Sequence, residues 1–175
     1  MGGALSVKLM GSALITFSAM LTAAGCVEPY RSSIALMLEL RSALGAMKNE
    51  LNDRLSTVPE LLRLCSAEAQ GSVKQFFDGV LNSLSALGDV ELSAIWRESA
   101  EKYLSGLPQN VMRELLCLGQ TIGTSDAEAQ MSKLDCVMST IDRSVKERER
   151  ELPEKKRLAG AIALSIGGFM IVILI

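Results

Sequence analysis

The sequence predicts an all-α chain, an antiparallel six-helix bundle set between two transmembrane helices. Three observations carry that reading. Apolar residues recur at steps of three and four from Ile34 to Val145, and no stretch shows the period-two alternation of a strand. Ala, Leu, Ser, Glu and Met, residues mostly at home in helices, dominate the composition. Leu9–Val27 and Leu158–Ile175 hold no charged residue, and a helix needs roughly 17–25 apolar residues to cross a bilayer.

The first transmembrane helix is placed at 5–27 and the second at 157–175, with a helical body and charged stalk over 28–152 between them. Ala19 and Ala23 lie one turn apart in the first. Ala159, Ala163 and Gly167 repeat that spacing in the second, and such stripes let helices approach closely in lipid. Glu28-Pro-Tyr-Arg31 leaves the first apolar run, and Pro29 suits a first helical turn. Ile34, Met37, Leu40, Leu44, Met47, Leu51 and Leu55 then form one stripe of a long helix with coiled-coil spacing. Thr57-Val-Pro-Glu60 is a capping-box pattern, so a short helix starts there and ends near Gln70-Gly71.

Ser72-Val-Lys-Gln75 is a second box. It opens a helix carrying Phe76, Phe77, Val80, Leu81, Leu84 and Leu87, closed by Gly88. Ser93 starts the next, with Trp96, Ala100 and Tyr103 or Leu104 inward and Gly106 at its end. Pro108 begins a fifth, whose stripe of Val111, Leu115, Leu118 and Ile122 is capped by Gly123. Ser125-Asp-Ala-Glu128 is a third box, and Asp126 and Glu128 suit the positive end of a helix dipole. The helix it opens shows Ala127, Met131, Leu134, Met138, Ile141 and Val145 on one face. Short connections make neighbouring helices antiparallel.

Arg143 to Glu151 is nearly all charged, with opposite signs at helical neighbours such as Asp142/Lys146 and Arg143/Glu147. A helix polar all round reads as a solvated extension, and Pro153 permits a bend before the second span. Arg143, Lys146, Glu147 and Arg150 make this stalk a candidate partner surface. Lys155, Lys156 and Arg157 read as topology-setting, with attraction to anionic membrane lipid as a secondary effect.

The excess of Lys and Arg before the second span, against Lys8 alone before the first, places the middle region in the cytoplasm. Leu21-Thr-Ala-Ala-Gly-Cys26 resembles the end of a lipoprotein signal. Its short basic region and the alanine at position 23 argue against that use. The alternative is a two-span membrane sensor or a lipidated protein with an external helical bundle. A sensor's output domain should follow the second span, and the sequence ends at Ile175.

Little chemistry is on offer. A net charge of −2 and 4 % aromatic residues give nucleic acid no electrostatic case and few stacking platforms. There is no histidine, the commonest general base and metal ligand. Cys26, Cys65, Cys117 and Cys136 form no CxxC pair, and each reads as a small buried apolar residue. No GxxxxGK[ST] loop occurs, and Gly119 and Gly123 lack the strand and third glycine of a phosphate loop. The expectation is a chain with no catalytic residue, cofactor or metal, and therefore no enzyme.

The segment Leu115-Leu-Cys-Leu-Gly-Gln-Thr-Ile-Gly-Thr-Ser-Asp-Ala-Glu-Ala-Gln130 resembles the hallmark of the stage III sporulation protein AB family. There a leucine-rich helix ends in a Gly-x-x-x-Gly-x-Ser-Asp turn followed by glutamine. The matching positions here are Gly119, Gly123, Ser125, Asp126 and Gln130. Leu40-Arg41, Glu50, Thr57-Val-Pro-Glu-Leu61, Trp96 and a basic cluster heading the C-terminal span agree too. Asn52-Asp53 departs from the family, which often has an aromatic residue there.

The resemblance implies a fold similar to the cytoplasmic domain of the type II secretion platform protein F. It implies an integral membrane subunit of the channel complex between mother cell and forespore, on the mother-cell side in the outer forespore membrane. It implies as partners a cytoplasmic ATPase, stage III sporulation protein AA, and other channel subunits. The sequence leaves a homo-oligomer open. The turn from Thr124 to Glu128 joins the stalk as a candidate docking surface.

Overall fold

The computed structural model describes residues 28–53, 57–86, 91–122 and 126–174. They form six helices: α1 (Glu28–Asp53), α2 (Val58–Glu68), α3 (Gly71–Ala86), α4 (Leu92–Tyr103), α5 (Gln109–Thr121) and α6 (Ala127–Leu174). The all-α class holds, and no strand occurs among the described residues. The first predicted span, 5–27, lies outside them. Residues of the second do not make a separate element, because α6 continues without interruption through Pro153 to Leu174. Among the described residues, no helix is long and apolar enough to cross a membrane.

The helix starts follow local chemistry. At α2 the Glu60 carboxylate accepts the Thr57 amide at 2.8 Å, as the predicted box requires, and the Thr57 hydroxyl donates to the same carboxylate at 2.9 Å. Those two bonds hold the Glu60 carboxyl below its ordinary pKa. The box at Ser72 is corrected. Gly71 opens α3 with φ +46°, and Lys74 N donates to Gln70 O at 2.9 Å, so Ser72 is already inside the helix. Glycine tolerates that left-handed backbone, and it lets α3 follow α2 after only two residues. At α6 Asp126 caps the helix, as its place at the predicted start suggests: its Oδ1 accepts Ala129 N at 2.8 Å, while Ser125 lies outside the described residues.

Residues 32–146 form one compact unit, and the described residues 28–31 and 147–174 belong to another. In the first, α1 and α6 run antiparallel. Arg41 pairs with Asp142 and Lys48 with Asp135, so the two pairs lie seven residues apart on each helix. Asn110 Nδ2 donates to Ser144 Oγ at 2.8 Å, and Lys133 meets Glu114 at 3.5 Å, which sets α5 antiparallel to α6. Cys65 Sγ donates to Ala43 O at 3.4 Å, laying α2 against α1. Ser66 hydrogen-bonds Asp78 and joins α2 to α3.

The predicted stripes supply the core. Met37, Leu40, Leu44 and Met47 of α1 are fully buried, as are Phe76, Phe77 and Val80 of α3. Trp96 and Ala100 of α4 and Val111, Leu115 and Leu118 of α5 join them. On α6 the seam is shifted: Leu134, Val137 and Ile141 are buried, whereas Met131 and Met138 are only half-buried. Arg31, at the start of α1, is exposed, and in the second unit Arg148 lies 5.4 Å from the centre of the Tyr30 ring.

Candidate functional site

The family-like segment spans the end of α5 and the start of α6. Its first glycine has a packing role rather than a turn role. Gly119 lies within α5, and a Cβ there would sit 2.4 Å from both Cγ and Cδ1 of Trp96. The indole therefore lies directly on the α5 backbone, and its Nε1 donates to Leu115 O at 2.9 Å. Phe76 meets the same ring edge-on at 4.9 Å between centroids, and Phe77 at 6.2 Å. Leucine-rich helix, glycine and tryptophan thus form one packing device joining α3, α4 and α5.

The rest of the segment divides. Gly123 and Ser125 lie outside the described residues. Asp126 is exposed and acts as the α6 cap, and Gln130 N donates to Asp126 O at 3.1 Å. The Gln130 side chain is buried, one turn before Leu134 on the α6 seam. Each of these roles is structural.

The charged segment keeps part of its predicted character. Arg143, Lys146, Glu147 and Arg150 are all exposed. The all-round polarity expected from Arg143 onward is corrected, because Ser144 is 3 % and Val145 7 % exposed. Asp142, expected to pair with Lys146 along its own helix, instead meets Arg41 through Nε at 2.5 Å and Nη2 at 3.1 Å. That fork raises the Arg41 pKa further. Lys155, Lys156 and Arg157 fall within α6.

The cysteines also divide. Cys65 is buried, and burial pushes its thiol up to about 12. Cys117 is half-buried and Cys136 exposed, against the expectation that each fills the core. Among the described residues no three Cys, Asp or Glu side chains cluster as metal ligands.

Sequence reasoning missed one feature of the surface. Between α4 and α5 lies an open concavity of about 340 Å³, floored by Met112, Leu116 and Cys117 and edged by Arg97 and Arg113. Its arginines are 16 positions apart on different helices, so no spacing rule joins them.

The comparisons agree on one family. A family model described as Stage III sporulation protein AB matches residues 8–175. A solved structure titled "Stage III sporulation protein AB (SpoIIIAB)" is similar with a TM-score of 0.62 and 17 % identity, over 70 % of this chain and 97 % of that chain. No protein of curated function matches in sequence.

Proposed function

This chain belongs to the stage III sporulation protein AB family, and we propose that within its sporulation-related role it is a non-enzymatic membrane platform. In this reading transmembrane helices at 5–27 and 157–175 hold the bundle in the membrane, with the middle region cytoplasmic. The bundle is one subunit of the channel complex between mother cell and forespore, and it docks the cytoplasmic ATPase, stage III sporulation protein AA. Its work is mechanical: the bundle holds a partner beside the membrane, and the partner supplies the chemistry.

The observation that carries the reading is the exposure of Arg143, Lys146, Glu147 and Arg150 on α6, just before the charge-free run from Leu158. Charges so placed steer a complementary partner to the membrane surface. The basic residues that follow favour the cytoplasmic side.

The test is a reporter cysteine at Glu149, which is exposed, in a C26S/C117S/C136S background. Cys65 stays, because it is buried and its thiol remains protonated. A membrane-impermeant maleimide should label Glu149→Cys only after lysis. Labelling of intact cells would overturn the cytoplasmic placement and favour an external bundle, sensor or lipoprotein. With the placement established, the R143E/K146E/R150E variant should weaken capture of the purified ATPase about tenfold. Undiminished capture removes this face from the docking surface.

A further inference from the structure

The concavity between α4 and α5 has the makings of a recognition site. Met112, Leu116 and Cys117 are half-buried on one face of α5. Their neighbours Val111, Leu115 and Leu118 are fully buried in the bundle. The floor is thus apolar surface that the fold leaves in water, and it runs along a helix, as a helix-in-groove site does.

Its rim is cationic. Arg97 and Arg113 are both exposed, and among the described residues neither is joined to a carboxylate. By contrast, Arg41, Lys48 and Lys133 are each paired. One turn either side of Arg113 stand Gln109 and Cys117, both uncharged. Glu101 follows Arg97 by one turn without forming an ion pair with it. Two guanidinium forks beside an apolar floor match carboxylates flanking an apolar ridge. Methionine at the floor adapts to that ridge, and Arg and Met are both enriched at protein interfaces.

The geometry points to this groove as a docking site for a partner protein's amphipathic helix, one whose apolar stripe is flanked by Asp or Glu. The groove does not depend on the platform reading: it involves neither the charged segment of α6 nor the membrane placement.

The native thiols provide the test, using the full chain in detergent micelles. Cys117 lies in the groove, exposed Cys136 on α6 lies outside it, and Cys65 is inert. The probe is a synthetic helix of about 18 residues, long enough to fold in place, with a leucine stripe flanked by glutamate. Its twin carries lysine at every glutamate position. Alkylation of each thiol by maleimide is followed by mass spectrometry.

The acidic helix should slow Cys117 alkylation at least about fivefold once it is several times above its Kd, and leave Cys136 unchanged. The lysine twin should not protect. R97E/R113E should abolish protection, with R97Q/R113Q serving the same comparison if the reversed variant is misfolded by circular dichroism. Failure of the acidic helix to protect Cys117 overturns the proposal. So does equal protection by the twin, or protection that survives loss of both arginines.

Discussion

Two regions of the bundle both join helices, and they do so by opposite means. At the α3–α4–α5 junction, Trp96 lies on Gly119 with its nitrogen on Leu115 O and two phenylalanines against its ring. Along α1 and α6, Arg41 and Lys48 reach Asp142 and Asp135 across the surface. The first region is closed to water and leaves no room for one more methyl at Gly119. The second is bathed in water, which weakens every charge in it. Single atoms should therefore matter at the junction, and whole charges should matter little along the seam.

The largest effect should come from removing the indole. Trp96 is fully buried, and Trp→Ala in a core costs about 3–5 kcal/mol. For a chain of this size each kcal/mol moves Tm by about 2–4 °C, so the thermal midpoint of Trp96→Ala should fall by roughly 6–20 °C. Circular dichroism of the full chain in detergent measures it. A fall as small as that of an exposed substitution would remove the junction from its place in the comparison.

Glycine gives a sharper test, because two helical glycines should respond with opposite signs. A Cβ at Gly45 of α1 meets nothing within 4 Å, so Gly45→Ala should gain about 0.5–1 kcal/mol from the lower cost of ordering alanine in a helix. At Gly119 the same change drives a methyl into the indole at 2.4 Å. Overpacking of that kind costs about 1–3 kcal/mol, enough to outweigh the propensity gain. Gly119→Ala should therefore lower Tm where Gly45→Ala raises it. Trp96→Leu removes the ring that Gly119→Ala strikes, so the double variant should lose less than the two singles summed.

How much of this was legible in the sequence depends on how local the physics was. The Thr57–Glu60 box was readable because both partners sit within one turn. The stripes of α1, α4 and α5 were readable because burial follows helical period. Gly119 was visible in the family-like segment, but its reason was not: the indole that needs the gap is 23 positions earlier. Asp142 was misread for the same cause. Its sequence neighbour Lys146 is one turn away, yet the partner it meets is Arg41, 101 positions away. On α6, steps of three and four allowed two overlapping seams. Only packing chose Val137 over Met138 as buried, and it put polar Gln130 and Ser144 on the same side.

The smallest effect should come from the Arg41–Asp142 pair, although two hydrogen bonds join its side chains. Both side chains are about two-fifths exposed, 42 % and 43 %. Water and ions then screen most of the attraction, and pairs of this kind contribute under about 1 kcal/mol. Asp142→Asn, which keeps the shape and removes the charge, should lower Tm by less than about 4 °C. The difference from wild type should shrink further in about 1 M salt, where the Debye length falls to about 3 Å. Asp142→Arg should do worse than Asp142→Asn by setting like charges together, and adding Arg41→Asp should recover the loss. If Asp142→Asn costs as much as Trp96→Ala at any salt, the pair is acting as part of the core. The contrast between a dry junction and a wet seam would then fail. A small, salt-sensitive loss leaves the pair a lesser role. With Lys48–Asp135 one heptad away, it favours the antiparallel register of α1 on α6, without supplying much of the energy that buries their apolar stripes.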